Sequence, residues 1–287
     1  MRQKLLMTIC LAIAVALPTA APAAAATARQ SASLTATSSN WAGYVVRKSG
    51  VSFKRVMGSW TVPAVTCTTG HEMYSASWVG LGGYSSASRA LEQIGTDSDC
   101  DASGQAHYSA WYELVPEAGH AFKMTIKAGD RISASVTVKG SSVVLTLADE
   151  TRGTSVHRQL RASQVDVTSA EWIIEAPAFC SGTTVTDATC RQTDLANFGA
   201  TKFDRARAST TGGSKGTISS ALWSSTLVTL VPDARASRYS TLGSAAPGSL
   251  ATTGSAFEVA YSTVSADANV GSGDPSLGPP GFRRTRG

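Results

Sequence analysis

The chain has 287 residues, 43% of them hydrophobic and only 16% charged, and its formal net charge is +5. Two positives go with Arg2 and Lys4 and one net positive with the tail, where Arg283, Arg284 and Arg286 outnumber Asp267 and Asp274, leaving +2 on the body. With no basic run or basic helix inside that body, nucleic-acid binding has little support.

Residues 1–26 read as a signal peptide: Arg2 and Lys4 form the charged start, residues 5–17 the apolar centre, and residues 21–26 a small-residue cleavage region. The apolar run is too short to span a bilayer comfortably and is not repeated, so a secreted, extracellular protein with no membrane contact after cleavage is expected. Residues 27–37 are small and polar and read as a short flexible leader. Residues 38–262 contain no internal linker and form one expected domain, and residues 263–287, rich in Gly, Ser and Pro, read as a disordered tail.

Within the body, short β-branched and aromatic runs at 44–46, 56–62, 75–79, 107–115, 122–126, 132–138, 143–147 and 219–231 predict strands, separated by turn residues such as those at 128–130 and 139–141. Ile132, Ala134, Val136 and Val138 alternate with Ser133, Ser135 and Thr137, the pattern of a strand buried on one side. No segment carries a sustained helical stripe. The expected class is all-β, with two packed antiparallel sheets.

Residues 170–177, Ala-Glu-Trp-Ile-Ile-Glu-Ala-Pro, carry the chemistry. A two-residue period puts Glu171, Ile173 and Glu175 on one face and Trp172, Ile174 and Ala176 on the other. The two glutamate α-carbons then stand roughly 13 Å apart, too far to share a proton, so a reacting glutamate needs a partner from another strand. By the same alternation Gln93, Gly95 and Asp97 share a face, as do Ser109, Trp111 and Glu113.

Other chemistries lack their residues. His71, His107, His120 and His157 show no His-Glu-x-x-His spacing, so neither a metal nor a cofactor is expected. There is no Gly-x-Ser-x-Gly elbow and no paired Asp-Thr-Gly motif. Cys10 leaves with the signal peptide, and Cys67, Cys100, Cys180 and Cys190 remain in a compartment that permits oxidation. A local Cys180–Cys190 bridge with Cys67–Cys100 across the sequence is the natural guess, although four cysteines allow three connectivities.

The motifs Ser38-Ser39-Asn40-Trp41-Ala42-Gly43, Ser77-Trp78-Val79-Gly80, Leu91-Glu92-Gln93-Ile94-Gly95-Thr96-Asp97, Ala110-Trp111-Tyr112-Glu113 and residues 170–177 run in order along nearly the whole body. Together they closely resemble the glutamic peptidases, the eqolisin family (peptidase family G1) of secreted endopeptidases. The resemblance implies a bent, lectin-like (concanavalin-like) β-sandwich with the active site on its concave sheet, a catalytic dyad of Gln93 and Glu175, polypeptide substrates and a monomer. It places Trp41, Trp78 and Trp111 in the substrate groove and makes Asp97, Glu113 and Glu171 neighbours that orient or tune the dyad. Crowding of carboxylates, with the family's habit, implies acid preference and insensitivity to pepstatin. Gly82 and Ser109 stand where the fungal members usually carry acidic residues, and the leader leaves hardly any room for the family's longer propeptide. Two alternatives use the same carboxylates and tryptophans: a glycoside hydrolase with Glu113 and Glu175 as acid and nucleophile, and a non-catalytic carbohydrate-binding sandwich.

Overall fold

A computed structural model describes residues 34–180, 190–233 and 241–265, together with the backbone of residues 283–284. The strands are, in chain order, β1 (Leu34–Ser38), β2 (Trp41–Arg47), β3 (Phe53–Thr61), β4 (Ala76–Gly82), β5 (Leu91–Cys100), β6 (Ala106–Val115), β7 (His120–Ala121), β8 (Arg131–Lys139), β9 (Ser142–Asp149) and β10 (Thr154–Arg161). They continue with β11 (Ser169–Glu175), β12 (Ala178–Cys180), β13 (Cys190–Gln192), β14 (Ala200–Thr210), β15 (Lys215–Thr217), β16 (Ser224–Leu230), β17 (Thr241–Pro247), β18 (Phe257–Ser265) and β19 (Arg283–Arg284). There is no helix among the described residues, in keeping with the absence of a helical apolar stripe.

One hydrogen-bonded ladder runs β10-β9-β8-β3-β14-β18-β17-β16-β2-β11-β4-β5-β6-β7, with β1 attached to β16 and β15 to β14. The ladder curls back on itself, so that β3, β8 and β9 pack over β4, β5 and β11. This makes the two layers of an all-β sandwich from one continuous sheet. Tyr44, Val79, Leu81, Ile94, Trp172 and Ile174 meet Phe53, Val56, Trp60, Val136 and Leu145 between the layers. Two indoles clasp the layers through their polar edges: Trp172 Nε1 donates to the Met57 carbonyl at 2.8 Å, and Trp60 Nε1 donates to Thr96 Oγ1 at 2.9 Å.

Several sequence expectations are corrected. Phe122 and Ile126 are buried, yet 122–126 is a loop rather than a strand, because apolar alternation reports burial and not pairing. The strand expected over 219–231 begins at Ser224; the residues before it turn tightly, with Ser220 N donating to Thr217 O and Trp223 N to Ser220 O. Of the leader expected over 27–37, residues 34–37 belong to β1, the one parallel partner of β16. The domain reaches Ser265 rather than residue 262, because β18 pairs with β17 to that point. The signal-peptide reading, and the tail reading apart from β19, lie outside the described residues. Cys67 and Cys100 form a disulfide with α-carbons 5.4 Å apart. Cys190 is also disulfide-bonded and is the register partner of Cys180, whose side chain lies outside the described residues.

Replacing Trp172 with Phe keeps most of the buried area but removes the clasp on Met57. It should cost about 1–3 kcal/mol, one hydrogen bond with its buried acceptor, read as a lower midpoint in urea unfolding with an unchanged slope.

Candidate active site

Strands β2, β11, β4, β5 and β6 are hydrogen-bonded neighbours, and the first four are buried throughout apart from Arg47. One of their faces lines the interior of the sandwich. The other carries Trp41, Val45, Ile173, Trp78, Leu91, Trp111 and Val115, packed with Tyr84 and Val228 in a second apolar cluster. The face that bears Glu171 and Glu175, set against a dry face in the sequence reading, is therefore dry as well.

The register pairs Glu171 with Gly80, Gly80 with Gln93, and Gln93 with Glu113. Four residues along, Glu175 pairs with Ala76, Ala76 with Asp97, and Asp97 with Ser109. On a flat sheet Glu175 and Glu113 would be far apart, separated by three strand steps and two side-chain repeats. Here the charge of Glu113 is nevertheless felt at Glu175. Between the two strands the backbone is tightly packed at Gly95, where a Cβ would lie 2.4 Å from the Ser77 carbonyl oxygen, 2.6 Å from Trp78 Cβ and 3.1 Å from Trp111 Cζ2, so only glycine fits.

Glu175 has 0% exposure. Its Oε1 accepts from Asn40 Nδ2 at 3.1 Å, and its Oε2 accepts from Trp78 Nε1 at 2.8 Å. Trp78 is fixed in turn by a T-shaped contact with Trp41, with ring centroids 5.1 Å apart. The Trp41 indole N–H makes no hydrogen bond of its own, but it stands near enough to Glu175 to favour the anion. Burial, and after it the charge of Glu113, outweigh these donors and push the Glu175 carboxyl up to about 8.

Gln93 is equally buried. Its Nε2 donates to Glu113 Oε2 at 2.7 Å, which leaves the second N–H of the amide for another acceptor. Gln93 Oε1 is buried without a hydrogen-bond partner. Asp97 accepts from Ser109 Oγ at 2.7 Å, so Ser109 engages the adjacent acid rather than adding one.

Glu171 stands apart from this set. It is fully buried, no well-formed hydrogen bond reaches either of its oxygens, and burial, with the charges of Asp166 and Glu92, raises its carboxyl well above the usual range. Glu92, to which the sequence reading gave no role, is pushed up to about 9, first by burial and then by the charge of Asp166. Asp166 itself is held below its usual range: burial raises it, but the hydroxyls of Ser88 and Thr168 and the N–H groups of Thr168 and Gly83 more than offset that. Asp166 occupies the space over Gly82, where a Cβ would come within 2.5 Å of its own Cβ. Any side chain at position 82 would collide with this loop.

Among the described residues no group of three His, Cys, Asp or Glu is placed to hold a metal ion. A small recess opens beside the site, with Ser39, Ala176, Leu195 and Leu230 in its wall, but Gln93, Glu113 and Glu175 are not part of its lining.

Glu92, Glu171 and Glu175 keep protons in the folded protein that the unfolded chain releases above its ordinary carboxyl range near 4.5. Their contribution to stability is complete below that range and is lost as pH rises, through about 8 for Glu175 and about 9 for Glu92. The melting temperature should therefore fall steadily from pH 5 to pH 9, and Glu92→Gln should flatten the fall. Equal melting temperatures at both ends would contradict the burial of these acids.

A model of the Peptidase A4 family matches residues 39–240. Scytalidopepsin B from Scytalidium lignicola is 32% identical over 150 residues, which cover 50% of this chain and 54% of that protein, so the chain spans about half the length of this curated relative. Two crystal structures of scytalido-glutamic peptidase share the fold. One, with a peptide-based transition state analog, has a TM-score of 0.61 at 24% identity, and one with a transition state analog inhibitor has 0.58 at 25%; each comparison covers 78% of this chain and 98% of the other. The family match extends over most of the described domain and takes in the first motif from Ser39 and the other four whole. The chain belongs to the Peptidase A4 family, as its resemblance to the glutamic peptidases implied.

Proposed function

We propose that this protein is a secreted endopeptidase that hydrolyses peptide bonds by direct attack of water, with Glu175 and Gln93 as its working pair. The observation that carries this reading is the coexistence, on one dry sheet face, of a carboxyl gripped by two N–H donors and an amide whose oxygen has no partner. Family membership supports the reaction class. The signal-peptide pattern and the Cys67–Cys100 disulfide support export.

A water held by Gln93 Oε1 attacks the scissile carbonyl carbon as Glu175 takes its proton. The carbonyl π electrons move onto oxygen, and the free N–H of the Gln93 amide stabilises the resulting oxyanion. Collapse re-forms the carbonyl and breaks the C–N bond, and the proton on Glu175 passes to the departing amine. Glu113 holds the amide in place by accepting its other N–H. No metal, serine or cysteine takes part in these steps.

Glu113 adds its charge to burial in raising the Glu175 carboxyl. Glu175 therefore holds a proton over the acid range, and its Asn40 and Trp78 donors keep the proton-accepting anion within reach. When the last proton leaves, two negative charges confront the developing oxyanion. Activity is therefore greater in acid and declines as pH rises through about 8.

The test is digestion of a denatured protein at several pH values. Glu175→Gln should lose about 10²–10⁴-fold in rate and Gln93→Ala about 10²–10³-fold, with both variants folded. Pepstatin, which mimics a transition state between two aspartates, should have no effect. Undiminished cleavage by either variant removes that residue from the pair.

A further inference from the structure

Both oxygens of Glu175 are engaged by side-chain donors, and one donor belongs to a relay that starts in the backbone. Ser38 Oγ accepts from the backbone N–H groups of Asn40, at 3.3 Å, and Trp41, at 3.2 Å. A serine hydroxyl has two acceptor sites and one hydrogen, so with both acceptor sites taken it can only donate to the neighbouring amide. It does so to Asn40 Oδ1 at 2.9 Å. That end of the amide is thereby fixed as oxygen, and Nδ2 must face Glu175 Oε1, where it donates at 3.1 Å.

The same residue is tied to the strand of Glu175 a second time, because Ala176 N donates to Asn40 O at 2.9 Å. Ser38 is anchored separately: it pairs with Leu230 in the parallel β1–β16 ladder, and its carbonyl accepts from Val231 N at 2.8 Å. Asn40 is 4% exposed and Ser38 0%.

We infer that Asn40, locked in one orientation by Ser38, is a positioning residue that holds the Glu175 carboxylate for proton abstraction and keeps a donor pointed at it. The inference rests on the reading of Glu175 as the reacting carboxyl. A protonated Glu175 could donate to a flipped Asn40 amide, and Ser38 blocks that flip. The relay thus favours the proton-accepting form against burial and against Glu113, the charge from β6 that raises the proton affinity of Glu175. Asp97 on β5 and Glu171 on β11, the strand of Glu175 itself, are the other acids on this face. On this face β2 carries one ionisable head group, Arg47 near its far end, which lies over the Tyr84 ring at 5.4 Å, and β4 carries none.

The experiment measures the pH dependence of kcat/KM and the melting temperature for wild type, Asn40→Ala, Ser38→Ala and Ser38→Thr. Loss of the donor makes the anion harder to form, so Asn40→Ala should move both limbs of the profile about one unit to higher pH and lower the rate in acid about tenfold. Ser38→Ala should move the limbs in the same direction by less, since the amide stays but is free to turn. Ser38→Thr, which keeps the hydroxyl, should return the profile to that of the wild type. Limbs that stay in place while the melting temperature falls would overturn the inference and leave Ser38 and Asn40 as structural residues only. If Asn40→Ala does not fold, the two Ser38 variants decide. Full activity in Glu175→Gln would instead overturn the functional reading on which the inference stands.

Discussion

Everything distinctive in this protein follows from one constraint: a carboxyl has to function on a sheet face from which water has been removed. Burying an ionised carboxylate without partners is prohibitively costly, so the site is built out of donors. Trp78 and Asn40 each place an N–H on one oxygen of Glu175, and Trp41 both braces Trp78 and adds its own dipole. These groups reduce the penalty of burial without cancelling it. What results is a proton-holding group with a strong tendency to exchange its proton, which is the property a general acid–base catalyst needs.

The sheet supplies the geometry that flat pairing would not. Gln93 and Glu113 lie on the rung of Glu171, not of Glu175, yet Glu113 acts electrostatically on Glu175. Sheets twist, which brings diagonal side chains closer, and bare positions leave room for the neighbours: Gly80 on the rung of Gln93, where a Cβ would meet the Trp78 ring, and Gly95, where it would meet the Ser77 carbonyl and Trp78 Cβ. Large tryptophans and small glycines are thus two halves of one packing solution.

A second group of buried acids, Glu92 and Glu171 beside the ionised Asp166, shows that carboxyl burial is not confined to Glu175. Here no donor comparable to Trp78 or Asn40 is aimed at the oxygens. The difference separates two uses of the same side chain. At Glu175 the surroundings work to make ionisation accessible, and at Glu92 and Glu171 they leave the proton in place. A fold that stores protons in this way is more stable in acid surroundings.

The sequence by itself determined the class and the family. Period-two alternation in Ile132–Val138 and in the Glu171–Ala176 stretch specified strands and faces, and five ordered motifs carried the resemblance that singled out Gln93 and Glu175 as candidates. Those signals are local, and local signals survive in one dimension. It could not show that the carboxylate face is itself dry, that 122–126 is a core loop without a ladder, or that residues 34–37 form a strand on β16, since each depends on which distant segment lies alongside. Ser38 and Asn40 stood inside a quoted motif, but their direction of hydrogen bonding became visible only when β1, β2 and β11 were brought side by side. Residue identity fixed which groups could donate and accept; strand pairing decided which of them met, because Asn40 and Glu175, 135 residues apart in the chain, become neighbours only when β2 lies against β11.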